Sequence, residues 1–574
     1  MLNFFIKWLW LIATIMIFLS GVYFCFKLKF IHLNLKQMIK AFQYKKNKKD
    51  GISLLQSVAM SLAGRIGVGS LSGIALAIYL GGPGVIFWIW LTSIFCSTNA
   101  FAESVLAIVF RRKENKNIFR GGPFYYIQDG LGNKSLAYFY AIIILIAYIG
   151  GFMTIQINTV TKSITNMIPI SPVIIGIGIA IITGITILGG VKKIAKTTSK
   201  LVPIMTLFYI IVCFYIIIKE YTMMPNILRM ILNSAFNFKA FGMGTLSTLL
   251  IGMQKGIFSS EVGLGTGSIV SATADTDCPA RNGIVQIFEI HFENILIATI
   301  TGLAICMSNY QNLIIPDPNG IEITLQAFNY HLGNLGELFV TAIITLFGIA
   351  TVLTGYYYGE SSLKFLKKTK NLDIIVLKLI TIIVIFIGSI SSSKVLWNIT
   401  DILVGILAII NIYAIFSLRN IVIEEYKYYR QKPQKSWNFW GLIYFVQKAY
   451  YLLLNWGALR AFLRPYFFLS FIRGSLVKNP FCFNVGLYSV FAFNRALDNP
   501  WRIAPAWPVN PPPVTLQITS YLSNVFVTVR GCFTITFKIS VPKYSSILFP
   551  LTVIIPFPSV TLTLAIAFFL LPVP

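Results

Sequence analysis

The stretch GRIGVGSLSGIALA, residues 64–77, decides the fold of this chain. It lies inside an apolar segment long enough to cross a bilayer, yet it carries four glycines with serine beside them. Glycine costs about 1 kcal/mol of helix propensity relative to alanine, so this run predicts a helix that opens within the membrane. Unwound backbone is tolerated there only where it is buried in protein or lines a cavity. The small residues Gly69 to Gly73 equally fit close packing between helices, and this stretch alone favours neither interpretation.

The composition predicts a polytopic membrane protein. Hydrophobic residues make up 56% of the sequence, charged residues only 11%, and the mean hydropathy is +0.75, whereas a soluble domain has about 25% charged residues. The net charge of +28 comes largely from lysines and arginines between apolar segments, a pattern of cytoplasmic loops rather than of a nucleic-acid-binding surface. The cysteines form no CxxC pair and the three histidines lie far apart, so no metal centre or disulfide framework is predicted. No GxxxxGK[ST] motif for ATP occurs.

Apolar segments of about 20 residues predict about eleven membrane-spanning helices. They lie near residues 4–26, 52–80, 84–110, 136–161, 172–190, 201–218, 240–272, 283–308, 336–358, 373–390 and 397–418. The segment 4–26 is interpreted as a retained helix, since no clear small-residue cleavage site of a signal peptide follows it. Loops rich and poor in lysine and arginine alternate, which predicts an extracellular or periplasmic N-terminus and a cytoplasmic residue 435.

A second apolar segment is interrupted in the same way. It reads GMQKGIFSSEVGLGTGSIVS, residues 252–271, with polar side chains and glycines at the expected break. Because this helix is the sixth span counted from the first broken one, the two helices run in opposite directions through the membrane. Two interrupted helices at corresponding positions of oppositely oriented halves point to the binding site of a secondary transporter.

The predicted organisation has five parts. These are an N-terminal transmembrane helix with a basic cytoplasmic segment (1–50), a first five-helix half (51–218), an extracellular linker (219–239), a second five-helix half (240–420) and a cytoplasmic segment with an atypical tail (421–574). Beyond residue 435, acidic residues almost vanish and proline-rich runs appear. The tail fits a membrane-associated appendage, a poorly ordered extension or translation past the natural end of the gene, and we favour the last two.

Several long motifs resemble those of the alanine/glycine:cation symporter (sodium:alanine symporter) family. They are GRIGVGSLSGIALAIYLGGPGVIFWIW at 64–90, GGPFYYIQDGLG at 121–132, KGIFSSEVGLGTG at 255–267, TVLTGYYYGE at 351–360 and the spaced Trp397, Asp401, Gly405 and Asn411. The resemblance implies an all-α polytopic fold of the leucine-transporter type, a 5+5 inverted repeat with one extra N-terminal helix. It also implies sodium- or proton-driven uptake of small neutral amino acids across the cell (inner) membrane. Compared with the family pattern, this chain has Ser70 for asparagine, Ser260 for asparagine and Glu293-Asn294 for Asp-Thr.

The two breaks together predict a site for a zwitterion and its driving cation. The helix that restarts after the first break would offer the N–H groups of Val68, Gly69 and Ser70 to a substrate carboxylate. Carbonyl oxygens released at Ala63 and Ile66 would bind sodium, a hard cation that prefers oxygen ligands. The resemblance to the fold adds the hydroxyl of Thr351 to that set.

The second break would supply Phe258, Ser259 and Ser260 to the ammonium group and side chain of the substrate, and the bulk of Phe258 would favour small substrates. Gln156 and Asn158 are polar in mid-span. They either complete the pocket or form hydrogen bonds between helices, and the sequence leaves these alternatives open.

Charges inside membrane spans are costly and usually mark function or pairing. The residues concerned are Arg65, Glu103, Lys255, Glu261, Glu289 and Glu293. We predict that Arg65 pairs with Glu103 or Glu261 on the cytoplasmic side of the site, either as a gate or as a permanent brace.

The sequence therefore favours a sodium-coupled symporter of alanine or glycine that works by alternating access, without a cofactor beyond the coupling ion. A proton-coupled permease or an amino-acid exchanger of the same fold is the alternative. An intramembrane lipid-modifying enzyme would require clustered acids or histidines facing one leaflet, and the sequence has no such cluster.

Overall fold

The computed structural model describes residues 2–42, 52–115, 118–236, 244–276, 278–308, 320–367, 369–391 and 393–431, together with four short strands nearer the C-terminus. The chain divides into two compact units, Met1–Ala461 and Phe462–Pro574. The first unit is built almost entirely of helices.

The helices of the first half follow one another with short connections. They are α1 (Leu2–Lys27), α2 (Leu35–Phe42), α3 (Leu54–Arg65), α4 (Ile74–Gly81), α5 (Val85–Val109), α6 (Pro123–Tyr125), α7 (Lys134–Leu145), α8 (Met153–Met167), α9 (Pro172–Leu188), α10 (Gly190–Lys219) and α11 (Met224–Ala235). An antiparallel hairpin of β1 (Arg112–Asn115) and β2 (Ile118–Arg120) connects α5 to α6.

The second half continues in the same manner. Its helices are α12 (Gly244–Ser260), α13 (Thr266–Ser271), α14 (Pro279–His291), α15 (Ala298–Cys306), α16 (Ile321–Leu332), α17 (Asn334–Leu366), α18 (Asn371–Ile390), α19 (Ser393–Ser417) and α20 (Arg419–Gln431). Single π-helical turns interrupt the helical ladder at Gly69–Gly73, Tyr126–Gly130, Ile146–Phe152 and Phe292–Ile297. Such turns often occur at functional sites.

Within the described residues, eight helices are long and apolar enough to cross a membrane. The number becomes nine when the bent pair of α3 and α4 is counted as one span, and α9 is a shorter apolar helix. The chain is therefore a multi-pass membrane protein, and the predicted count of about eleven spans stays a prediction.

The outer faces of α9 and α18 suit contact with lipid. These two helices pack against each other, and both expose apolar side chains such as Ile174, Ile181, Ile380 and Ile383. The middle of α17, in contrast, is buried on all sides, including Tyr356–Tyr358. Because exposed apolar patches of this kind mark contact with membrane or partner, α9 and α18 form the periphery and α17 lies in the interior.

The interior position of α17 sets the surroundings of the first break. Both α10 and α17 pack on α3. On the other side, α5 packs on α12 and α14. The capping box formed by Ser53 and Gln56 begins α3, so the helix enters this bundle with its first backbone donors satisfied.

The segments expected at 219–239 and beyond 435 are described only in part. Residues 224–235 of the expected linker form α11. In the second unit, the described residues are strands β3 (Thr515–Ile518), β4 (Val525–Arg530), β5 (Thr534–Lys538) and β6 (Leu548–Phe549), which pair as an antiparallel meander in that order. The expectation of a poorly ordered tail otherwise lies outside the described residues.

Candidate functional site

The first predicted helix break is confirmed. Helix α3 ends at Arg65, and the chain turns through Ile66 and Gly67 before helical structure resumes. The two helical segments, Leu54–Arg65 and Gly69–Gly81, are bent by 47° relative to each other. Side chains and backbone at the break are buried, so this unwound segment is enclosed by protein as the membrane interior requires.

The second predicted break is confirmed as well. Helix α12 ends at Ser260 and α13 begins at Thr266. Between them Glu261, Gly263 and Gly265 have φ values of 55°, 82° and 79°. A left-handed backbone suits glycine, whereas for glutamate it is unusual and needs support from its surroundings.

The two breaks lie against each other. A Cβ atom placed on Gly69 would lie 3.6 Å from the Cα atom of Ser259 and 3.7 Å from the ring of Phe258. Arg65, at the end of α3, donates from Nε to the carbonyl oxygen of Ser260 at 2.9 Å. Because that carbonyl is at the negative end of α12, the guanidinium stabilises the end of the second broken helix.

The predicted ion-pair partners of Arg65 were wrong. Arg65 pairs with Glu289 of α14 through Nη1, and its Nη2 donates to Oε1 of Gln286 at 2.7 Å. Gln286 in turn donates to Glu289 at 2.9 Å. The arginine therefore connects both breaks to α14, and its charge is balanced there.

Glu103 and Glu261 have other partners. Glu103 accepts a hydrogen bond from Asn411 at 2.9 Å, and Asn411 also donates to the carbonyl of Gly263. Glu261 accepts from the hydroxyls of Tyr148, Tyr358 and Thr266 at 2.9–3.0 Å. These hydrogen bonds support the left-handed backbone of Glu261 and fix the second break, whereas the cost of charge inside a membrane span had suggested an ion pair with Arg65.

The N–H groups of the first break are only partly available. Val68 donates to Oε1 of Gln156 at 3.0 Å, and Ser70 donates to the carbonyl of Gly67 at 3.2 Å. The expectation that both offer free donors in this conformation was therefore wrong. The amide oxygen of Gln156 takes the place at Val68 that a carboxylate oxygen would take, because a helix start attracts such acceptors.

Asn158 is turned away from this position. Its side-chain amide donates to the carbonyl oxygens of Gly388 and Ser391 at 3.3 and 2.6 Å. The described contacts of Asn158 thus join α8 to α18, whereas those of Gln156 reach the break.

Two of the three predicted sodium ligands, Ala63 and Thr351, contact each other. The hydroxyl of Thr351 donates to the carbonyl of Ala63 at 2.8 Å. Ile66 follows at the turn and is fully buried. A Cβ atom on Gly67 would lie only 2.6 Å from the hydroxyl oxygen of Thr351, so glycine is required for this close approach of α17 to the break.

An aromatic cluster flanks the second break. The ring of Phe258 lies 5.5 Å from those of Phe152 and Trp397. The ammonium group of Lys255 lies 4.8 Å from the ring of Trp397, a distance at which a cation and an aromatic face attract. Ser259 completes this side, donating from its hydroxyl to Asn294 at 3.2 Å.

The described residues contain no group of three or more histidine, cysteine, aspartate or glutamate side chains that could hold a metal ion.

A family model described as the sodium:alanine symporter family matches residues 1–439. The chain belongs to the sodium:alanine symporter family. This is a family of transporters, so the protein is a membrane transporter and not an enzyme.

Members of the sodium:alanine symporter family are similar over most of this chain. A probable sodium/glutamine symporter of Bacillus subtilis is 35% identical over 430 residues, which cover 74% of this chain and 89% of that protein. A sodium/alanine symporter of Methanococcus maripaludis is 32% identical over 425 residues, covering 72% and 92%. A solved manganese transporter of Eremococcus coleocola is 14% identical and covers 78% of this chain and 92% of its own, with a TM-score of 0.43.

Sequence reasoning missed several residues of the site in this symporter-family chain. The sequence showed Glu289 as a charge inside a membrane span. Because such a charge is energetically costly, it indicated that Glu289 has a partner, but not which one. Gln286 lies one helical turn before it, but nothing in its spacing indicated contact with Arg65. Tyr148 and Tyr358 are uncharged, so no rule of charge inside the membrane singled them out as partners of Glu261.

Proposed function

We propose that this chain is a sodium-coupled symporter of small neutral amino acids, with alanine or glycine as substrate, that works by alternating access. The observation that carries the proposal is the meeting of the two helix breaks at Gly69 and Ser259, held together by Arg65. Opposed ends of broken helices combine N–H donors, carbonyl acceptors and a dipole within a few ångströms, which are the groups that an amino acid and a cation need.

The substrate carboxylate would bind at the start of the helix after the first break. Gly69 leaves its backbone open to close approach, and the carboxylate would displace the amide of Gln156 from the N–H of Val68. Ser70 would provide a hydroxyl beside them. The charge of the carboxylate is favoured there by the helix dipole.

The ammonium group and side chain would face the second break. Phe258 and Ser259 form this wall next to Gly69, and Ser260 ends the helix with its carbonyl directed to Arg65. The rings of Phe152 and Trp397 pack around Phe258 and add to the bulk of this wall, which would favour alanine or glycine over an amino acid with a long side chain. The similarity to a probable sodium/glutamine symporter makes glutamine the competitor to test.

Sodium would bind between α3 and α17. The carbonyls of Ala63 and Ile66 and the hydroxyl of Thr351 would be its ligands. In the present structure the hydroxyl of Thr351 already touches the carbonyl of Ala63, so a cation would need only small shifts to be bound by both oxygens. Asn158 would connect α8 to the end of α18 through its hydrogen bond to Ser391, and the proposed pocket does not include it.

The proposed architecture is a 5+5 inverted repeat, preceded by one extra helix, with about eleven spans in the cell (inner) membrane. The N-terminus would be extracellular or periplasmic and residue 435 cytoplasmic. Rocking of one half against the other would then expose the two breaks to each side in turn.

The test is uptake of labelled alanine by proteoliposomes with and without an inward sodium gradient. We expect accumulation only with the gradient, and stronger inhibition by unlabelled glycine than by glutamine. Equal uptake with sodium or choline outside would contradict sodium coupling. Stronger inhibition by glutamine would contradict the assignment of small substrates.

A further inference from the structure

Glu293 is a buried carboxylate that the proposed symport does not use. It lies in the π-helical turn Phe292–Ile297 between α14 and α15, and its side chain is fully buried. One carboxylate oxygen, Oε1, lies 2.5 Å from the hydroxyl oxygen of Ser70. The other, Oε2, has no hydrogen-bond partner within the described part of the chain.

The surrounding charges do not neutralise this carboxylate. The titratable groups on the elements packed around it include Arg65, Cys96, Glu103, Tyr209, Lys255, Arg281, Glu289, His291 and Cys306. Arg65 acts on Glu293 through space, but its donors are bound to Ser260, Gln286 and Glu289. Within the described residues, no lysine, arginine or histidine is at ion-pair distance from Glu293.

The remaining neighbours are occupied elsewhere. Tyr209 is hydrogen-bonded to Thr301, and His291 contacts Ser93 and the carbonyl of His32. The ammonium of Lys255 faces aromatic rings. An ionised carboxylate with a single hydroxyl donor and no cation beside it is strongly disfavoured in such surroundings, so Glu293 needs a proton or another cation.

The hydrogen bonds accommodate a proton. The hydroxyl of Ser70 is placed to donate either to Oε1 of Glu293 or to the carbonyl of Arg65, which lies 3.3 Å away. When Glu293 is protonated, its carboxyl group would donate to Ser70 and the proton of Ser70 would go to the carbonyl of Arg65. This order satisfies both hydroxyl protons and ends on a carbonyl released by the helix break. A sodium ion would need several oxygen ligands at once, whereas among the described residues the carboxylate has one hydrogen-bond partner.

We propose that Glu293 and Ser70 form a proton-binding site of this transporter, so that a proton enters together with the amino acid and sodium. Glu293 takes up the proton when the break is open to the outside and releases it when the break is open to the inside. The carboxyl group is the carrier, and no bond other than its O–H forms or breaks. This inference rests on the proposed symport function.

The experiment uses proteoliposomes that contain a pH-sensitive dye, with equal sodium on both sides and no initial pH difference. Added external alanine should acidify the interior of wild-type vesicles, and a proton ionophore should abolish the signal. The Glu293→Gln variant should lose acidification yet retain exchange of labelled for unlabelled alanine, which requires no net proton movement. Glu293→Asp should retain acidification because the carboxyl group is kept.

Glu337→Gln is the matched control. Glu337 is a glutamate at the start of α17, where it accepts a hydrogen bond from Asn329 at 2.5 Å, and its neutralisation should leave acidification at the wild-type level. Alanine entry into wild-type vesicles without acidification would overturn the proton site while leaving symport intact. Undiminished acidification by Glu293→Gln would overturn the assignment to Glu293. Absence of sodium-dependent alanine uptake in wild type would instead refute the proposed function itself.

A second measurement does not depend on the folding of a variant. Hydrophobic carbodiimides react with protonated carboxyl groups, so the wild-type peptide that contains Glu293 should be modified, and less so as the pH is raised. Modification that is absent at every pH, or that does not change with pH, would overturn the proposal even if Glu293→Gln failed to fold.

Discussion

Arg65 is the residue on which both breaks depend. Its planar guanidinium has donors in fixed directions, so one side chain can bind the carbonyl end of a helix and a carboxylate at once. The side chain is almost fully buried, as is its partner Glu289. Removing one member of such a pair leaves the other as an uncompensated charge in a medium of low polarity.

We therefore expect Arg65→Gln and Glu289→Gln each to lower the free energy of unfolding by about 3–5 kcal/mol. The double variant should cost less than the sum of the two, because the second substitution removes the charge that the first had left unpaired. The measurement is a double-mutant cycle of unfolding in mixed detergent micelles.

Glu103→Gln is the matched control for this cycle, since Glu103 is a buried glutamate that binds Asn411 instead of Arg65. Glu103 senses the charge of Arg65 only through space, so the coupling between Arg65→Gln and Glu103→Gln should be smaller than that between Arg65→Gln and Glu289→Gln. Coupling of Arg65 with Glu103, and none with Glu289, would contradict the ion pair described above.

Gln156 gives a second prediction for a single residue. Its amide oxygen occupies the N–H of Val68, and Gln156→Glu would put a charge there without changing the shape of the side chain. Two like charges about 4 Å apart repel by about 4 kcal/mol at an effective dielectric constant of about 20, so the KM for alanine should rise by about tenfold or more. Uptake kinetics in proteoliposomes check this, and an unchanged KM would place the substrate carboxylate elsewhere.

The sequence could not identify these residue contacts for a physical reason. Arg65 had four buried glutamates within reach, Glu103, Glu261, Glu289 and Glu293. Spacing along one helix does not show which side of another helix faces it. Glu103 and Glu261 satisfy their carboxylates with amide and hydroxyl donors, which carry no charge and leave no signal in the sequence. Gln156 and Asn158 were both marked as polar in mid-span, but the sequence left open whether either reaches the pocket or bonds between helices.

The broken helix α3–α4 depends on glycines that differ in their surroundings. A Cβ atom on Gly67 would collide with the hydroxyl of Thr351, whereas a Cβ atom on Gly73 would meet no atom within 4 Å. Glycine-to-alanine substitutions at these two positions therefore distinguish the effect of helix propensity from the effect of a steric contact with Thr351.

We expect Gly67→Ala to displace Thr351 from the carbonyl of Ala63 and to raise the sodium concentration required for half-maximal uptake. Gly73→Ala should leave sodium dependence unchanged and add up to about 1 kcal/mol of stability, since alanine is the better helix former. Alanine uptake at a series of sodium concentrations measures the effect. Equal sodium dependence in both variants would contradict a sodium site at Thr351.

Both helix breaks could be predicted from the sequence, because each segment has the length of a membrane span but not the composition of a continuous helix. A segment of membrane length whose centre is rich in glycine and serine cannot be an ordinary span, and two such segments five spans apart support each other. Their bend angle and their mutual contact were not predictable, because these depend on how α5, α10, α14 and α17 pack around them.

Ion pairs connect the hairpin β1–β2 to the C-terminal end of α17, so they join distant parts of the molecule. Arg120 of β2 is almost fully buried and pairs with Glu114 at 2.5 Å and with Glu360 at 2.6 Å. Lys364 binds the same two carboxylates at 2.7 and 3.0 Å. Although burial raises the pKa of Glu114, Arg120 and Lys364 outweigh it and hold that pKa below its ordinary value.

Arg120→Gln should therefore lower the free energy of unfolding by about 3–5 kcal/mol, because Glu360 is left buried with fewer partners. Arg112→Gln, in the same hairpin, should change it by about 0–1 kcal/mol, because its ion pair with Asp129 is exposed. The stabilisation through Glu114 should be present at neutral pH and be lost as the pH falls through the lowered pKa of that carboxylate. Thermal unfolding in detergent over a pH series checks both, and equal effects of the two substitutions would contradict the buried cluster.

The central claim is that the two breaks together bind the amino acid and sodium, and labelling of a single cysteine tests it most directly. Ser259→Cys places a thiol at the contact between the breaks, and Ser391→Cys places one at the partly exposed residue that follows α18, as the control. During turnover, a membrane-permeant maleimide should label the cysteine at 259, and alanine with sodium should slow this labelling, whereas either alone should not. We expect no such protection of the cysteine at 391. Labelling at 259 that alanine and sodium leave unchanged, in a variant that still transports alanine, would contradict it.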